Sequence, residues 1–129
     1  MTTVAERNVA SAEDYYKAMS DKNVSGMAQY LHPDVQLVGP LDALTGKEAV
    51  LEAAKRFFNF IKSINVRAKL GSGDQVMLAY DMDFGEPVGN CRSAVWMTFK
   101  DGLIARSELF FDARPFGSQP SKSTVVTKR

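Results

Sequence analysis

The sequence predicts an α+β domain in which a curved antiparallel sheet packs against three N-terminal helices. Three observations carry that expectation. Up to about residue 61 the apolar residues recur at three- and four-residue steps, the helical period. From residue 64 they alternate with polar ones, the strand period. Asp101-Gly102 then joins two alternating runs, a strong two-residue hairpin signal.

Thr3 with Glu6, and Ser11 with Asp14, have the spacing of a helix cap and a first-turn acid. Ala12, Tyr15, Tyr16 and Met19 form the apolar stripe of this first helix. Ser20-Asp21-Lys22-Asn23 interrupts it, and Val24, Met27, Ala28 and Leu31 give the face of a short second helix. His32-Pro33-Asp34 is expected to stop that helix, because the residue before a proline is pushed out of helical geometry. Val35–Val38 reads as a short strand ended by Gly39-Pro40. Thr45-Gly46-Lys47-Glu48 has the form of a capping box and opens a third helix reaching about Ile61. Four strands follow: residues 64–70, 75–84, 91–100 and 103–111, separated by Gly71-Ser72-Gly73-Asp74, Gly85-Glu86-Pro87-Val88-Gly89 and Asp101-Gly102.

The chain has 129 residues, 45% hydrophobic and 24% charged, which suits one domain, assigned to residues 1–117. Of 16 basic residues, Arg114, Lys122, Lys128 and Arg129 lie after Asp112 and no acid does; the remaining 12 face 15 acids, so residues 1–112 carry a net charge of −3. The expected arrangement is a mildly acidic body with a flexible basic tail at residues 118–129. An acidic body argues against a nucleic-acid partner. No stretch approaches the ~20 apolar residues of a membrane span, and the N-terminus lacks the pattern of a secretion signal. The expected location is cytoplasmic, with no membrane partner.

One cysteine, Cys91, and one histidine, His32, leave no ligand set for a Cys- or His-rich metal site. The glycine-containing turns do not run from a strand into a helix, so they are not phosphate loops. No metal and no cofactor are expected. Carboxylates and tyrosines remain as reagents. His32 reads as a cap or surface hydrogen-bonding residue, and Asp81 and Asp83 as solvated or interface surface.

The order of elements resembles the nuclear-transport-factor-2-like superfamily, and within it the SnoaL-like group that includes polyketide cyclases and, more distantly, ketosteroid isomerase. The residues carrying the resemblance are Leu31-His32-Pro33-Asp34-Val35, Gly46-Lys47-Glu48-Ala49-Val50, Phe99-Lys100-Asp101-Gly102-Leu103-Ile104 and Glu108-Leu109-Phe110-Phe111-Asp112, across residues 9–116. The resemblance implies a cone-shaped fold with a deep apolar pocket and an outer sheet face that forms a two-fold homodimer.

Matched to the isomerase pattern, the pocket takes Tyr15 and Met19 from the first helix, Leu37 from the first strand, and Phe57 and Ile61 from the third helix. The long strands add Tyr80, Met82, Val95, Met97, Ser107, Leu109 and Phe111, by alternation. The outer face takes Arg92, Trp96, Arg106, Glu108 and Phe110. Tyr15 matches the isomerase tyrosine, but the positions of its base and its protonated acid fall on Gly39 and Val95, so two of three chemical groups are missing. Asp42, near the pocket mouth, is the candidate acid–base. Asp112 is the alternative if a register slip turns Glu108 and Asp112 inward. The implied function is binding of a small apolar molecule in the cone, with cyclisation, isomerisation or dehydration by proton transfer as the implied chemistry. A non-catalytic binding protein or a dimeric assembly module of the same fold is the alternative.

Overall fold

Helix α1 (Val4–Ser20) begins at Thr3, whose side chain accepts from the Glu6 amide while the Glu6 carboxylate accepts from the Thr3 amide. This capping box satisfies two amides that the first turn would leave without partners. The second candidate cap, Ser11 with Asp14, falls inside the helix. The structure is a computed structural model and describes residues 2–116; the basic tail expected at 118–129 lies outside the described residues.

Helix α2 (Val24–Ala28) is capped by the Asn23 side chain, which accepts from the Gly26 amide. The chain then enters strand β1 (Leu31–Val38), four residues earlier than the sequence pattern indicates. Pro33 is tolerated there because the β1 ladder lapses between Leu31 and Gln36, where no amide is needed for pairing. His32 Nδ1 accepts from the Asp34 amide at 3.0 Å and so bridges the lapse.

A tight turn, closed by the Gly39 amide donating to Asp42 C=O at 2.9 Å, leads to strand β2 (Ala43–Thr45), which the sequence reading did not anticipate. Thr45 pairs with Gln36 and is therefore strand, not cap. Helix α3 (Lys47–Phe57) starts instead at Gly46, with φ +100 and no side-chain cap. Glycine alone adopts that backbone readily, and its amide donates to Val35 C=O at 2.7 Å. The helix ends at Phe57; residues 59 and 60 bond three residues back, in tighter turns that carry Ile61 off the helical stripe.

Strands β3 (Ser63–Ser72), β4 (Gln75–Asp83), β5 (Asn90–Lys100) and β6 (Leu103–Phe111) form the expected meander. At the last turn Asp101 and Gly102 both have positive φ, as a hairpin of that type requires. The six-stranded order is β2-β1-β6-β5-β4-β3, with β1 parallel to β6, so the sheet is mixed, not wholly antiparallel.

Two bulges shape it. Arg67 is the extra residue opposite β4, and Ala105 the extra residue opposite β5. Bulges bend a strand and raise its twist, and they also exchange its faces. Beyond Arg67, Lys69 falls on the helix side and pairs with Glu13 of α1 at 3.0 Å, while Leu70 is left 74% exposed. Gly71 then meets α1 so closely that an added Cβ would lie 2.5 Å from Val9 Cγ2. Beyond Ala105, Ile104 faces inward and not Leu103. The core lies between the inner sheet face and the helices, with Met27, Val95, Met97 and Ile104 fully buried.

Candidate functional site

The inner sheet face and the helices do not close on each other completely. Between them lies a cavity of about 310 Å³. Helix α1 supplies Tyr15, Tyr16 and Met19; β1 and its turn supply Leu37, Gly39 and Asp42; the end of α3 supplies Phe57. Tyr80 and Met82 come from β4, and Ser107, Leu109 and Phe111 from β6. Strand alternation is what aims these last three at one space. Phe57, Phe84, Phe116 and Phe111 form a run of edge-to-face aromatic contacts with centroids 5.1–5.8 Å apart, a favoured ring geometry.

The polar groups are few. Tyr16 Oη and Tyr80 Oη are 3.3 Å apart and bonded to each other. Tyr15 stacks edge-on against Tyr16, and its hydroxyl has no hydrogen-bond partner among the described residues. Burial pushes the Tyr15 and Tyr16 phenols well above their ordinary range, with the neighbouring Tyr80 adding to it. Burial likewise pushes Tyr80 up to about 12, against the opposing effect of its bond from Tyr16. All three are neutral hydrogen-bond donors at physiological pH and poor bases. Asp42 is the one carboxylate on the cavity wall among the described residues, and it is solvent-exposed.

Several expected site residues sit elsewhere. Ile61, Val95 and Met97 are buried but do not reach the cavity, because their side chains are enclosed by the packed part of the core. Asp112 lies beyond the end of β6, bonded to Arg114 at 2.7 and 3.1 Å, and does not line the cavity. Hydrogen bonds from Arg114 hold its carboxyl down at about 2, so it has no proton to donate at neutral pH. The bulge that could have turned Glu108 and Asp112 inward falls at Ala105, before both, and leaves their parity unchanged. Glu108 pairs instead with Arg106 at 3.0 Å on the outer face, which also carries Arg92, Trp96 and Phe110.

Tyr16 reads in the sequence as packing alone, yet it forms part of the cavity wall. Phe116 follows the last strand in a single 3-10 turn (Arg114–Phe116), with no periodic pattern to signal it. Among the described residues no group of three or more His, Cys, Asp or Glu could hold a metal, and no helix is long and apolar enough to cross a membrane.

Residues 12–107 match the SnoaL-like domain family, and the chain belongs to that family. Its fold is that of the nuclear-transport-factor-2-like superfamily. No curated protein matches it in sequence. A solved structure from Kribbella flavida is 21% identical over 91% of this chain and 93% of its own, with a TM-score of 0.80. A candidate SnoaL-like polyketide cyclase from Jannaschia sp. is 14% identical over 95% and 97%, with a TM-score of 0.79. TerC, co-crystallised with polyporic acid, is 20% identical over 87% and 96%, with a TM-score of 0.74. At these identities the likeness is one of fold.

The buried phenols make the fold alkali-sensitive. Their folded pKa values lie above the unfolded value of 10.0. Their contribution to stability is therefore complete below pH 10 and is lost as the pH rises from there through 12. Each such phenol makes stability fall by about 1.4 kcal/mol per pH unit in that window. In a spectrophotometric titration combined with circular dichroism, Tyr30, half-buried but with its hydroxyl at the surface beside Asp14, should ionise while the protein is folded. Tyr15, Tyr16 and Tyr80 should ionise only together with unfolding.

Proposed function

We propose that this protein binds a small, largely apolar molecule carrying a carbonyl oxygen inside the cone, with the Tyr15 hydroxyl donating to that oxygen. The observation that carries this reading is a cavity walled by aliphatic and aromatic side chains into which one buried, neutral phenol without a partner among the described residues is presented. A buried donor without a partner costs free energy, and a ligand acceptor would remove that cost. Membership of the SnoaL-like domain family and the likeness of fold to TerC, which was co-crystallised with polyporic acid, support the reading.

The probe pair is 2-acetylnaphthalene and naphthalene, which differ in the one oxygen at issue. Fluorescence titration should show Tyr15→Phe weakening the ketone about fivefold, the worth of one net hydrogen bond, and leaving naphthalene unchanged. Equal affinities of wild type and variant for the ketone would sink the role of Tyr15.

Proton transfer is the second reading, and the presence of Asp42 on the cavity wall favours it. Its carboxylate would take a proton from the carbon next to the ligand carbonyl, while Tyr15 donates to the enolate oxygen that forms. Deuterium exchange of the 2-acetylnaphthalene methyl group, followed by NMR, should be accelerated by wild type and fall about a hundredfold in Asp42→Asn. No acceleration by wild type leaves a binding protein.

The outer sheet face supports a homodimer. Leu70, Met77 and Trp96 are cross-strand neighbours and Phe110 lies beside them, each between 42% and 74% exposed. Contiguous exposed apolar groups of this kind mark interaction surfaces, and Arg92, Arg106 and Glu108 provide a charged rim. Sedimentation should show a dimer for wild type and a monomer for Trp96→Glu.

A further inference from the structure

Three non-aromatic polar side chains are buried among the described residues: Asn8, Ser93 and Ser107. Asn8 Nδ2 donates to Gly73 C=O at 3.2 Å. Ser93 Oγ donates to Cys91 C=O at 3.4 Å and lies 3.7 Å from the Cys91 Sγ. Ser107 is 6% exposed and its hydroxyl makes no hydrogen bond among the described residues. It is also the one of the three that lines the cavity.

The sheet explains why a serine stands there. Ser107 is opposite Met97 of β5 and beside Leu37 of β1, so it occupies the middle of the sheet with a paired strand on each side. A small apolar residue would satisfy that position without leaving a hydroxyl unpaired. Native proteins leave few such groups unpaired, and each asks for an explanation. Tyr15, the other buried hydroxyl on the cavity wall without a partner among the described residues, reaches the same space from α1, so the two come from different layers of the fold.

We propose that Ser107 is a second, specificity-determining ligand contact. It takes a further hydroxyl or carbonyl oxygen of the ligand whose first oxygen Tyr15 holds, so that the preferred ligand carries two oxygen functions on one small apolar frame. This rests on the binding reading above. A site with a buried hydroxyl discriminates against an analogue lacking the matching group, because that analogue leaves the hydroxyl unpaired.

The test uses 2-acetylnaphthalene against its set of ring-hydroxylated isomers. At least one isomer should bind wild type about fivefold more tightly than the parent ketone. That gain should vanish in Ser107→Ala, which should bind the isomer no more tightly than it binds the parent ketone. A second readout separates this role from a structural one. A serine whose hydroxyl serves only a ligand contributes nothing to the free fold, so Ser107→Ala should keep or raise the melting temperature. A lowered melting temperature, a gain that survives Ser107→Ala, or no isomer bound better than the parent would each overturn the assignment. Failure of wild type to bind any of the probes, the parent ketone included, would overturn the cavity reading itself, and Ser107 with it.

Discussion

Ile104 and Ser107 are three residues apart on one strand, and both face the interior. Regular alternation forbids this, since positions an odd number apart point to opposite sides of a sheet. The bulge at Ala105 is what reconciles them. Below it, Ile104 seals the packed part of the core. Above it, Ser107, Leu109 and Phe111 line the cavity, and Arg106, Glu108 and Phe110 are sent to the outer face. The bulge at Arg67 does the same for β3, where it turns Lys69 toward Glu13 and leaves Leu70 outside. The apolar lining of the cavity depends on the residue inserted at Ala105, whereas the insertion at Arg67 brings a charged side chain to the helix side and leaves an apolar one in solvent.

The chemistry available inside follows from what the cavity lacks. Its interior hydroxyls belong to tyrosines and one serine, and burial keeps the phenols neutral. Tyr16 and Tyr80 satisfy each other. Tyr15 and Ser107 find no side-chain partner among the described residues. The two carboxylates that entered as candidates divide by position: Asp42 is on the cavity wall and open to solvent, whereas Asp112 is tied to Arg114 outside it. A site of neutral donors with its carboxylate in contact with water is better formed for holding an oxygenated ligand than for moving protons deep inside.

Much of this was legible in the residue order, and the failures have physical causes. The Thr3 cap and the Asp101-Gly102 hairpin are local, and both formed as their sequences indicate. Thr45-Gly46-Lys47-Glu48 has the same local credentials, yet Thr45 pairs with Gln36 and Gly46 begins the helix in its place. A sheet partner outweighed a cap. Within the site, Tyr15, Leu37, Phe57, Tyr80, Met82 and Leu109 lie where alternation and helical stripes put them. Ile61, Val95 and Met97 share that pattern but are enclosed, since periodicity tells which side a residue faces and not whether the space before it is filled.

Composition and periodicity by themselves determined the α+β class, the chain positions of the helices and of the four long strands, and the partition of most strand residues between two faces. Each of these rests on neighbours within a few residues, so a linear pattern carries it. Tertiary structure alone decided that β1 lies parallel to β6, that a three-residue β2 extends the sheet, where the bulges fall, and which inward side chains border empty space. Those outcomes are set by strand registers and packing between residues as distant as Leu37 and Ser107, where the gain from one pairing is weighed against every competing one. For the same reason the lack of a partner for Ser107 could not be read from its place in the sequence, because a partner can come from any part of the fold.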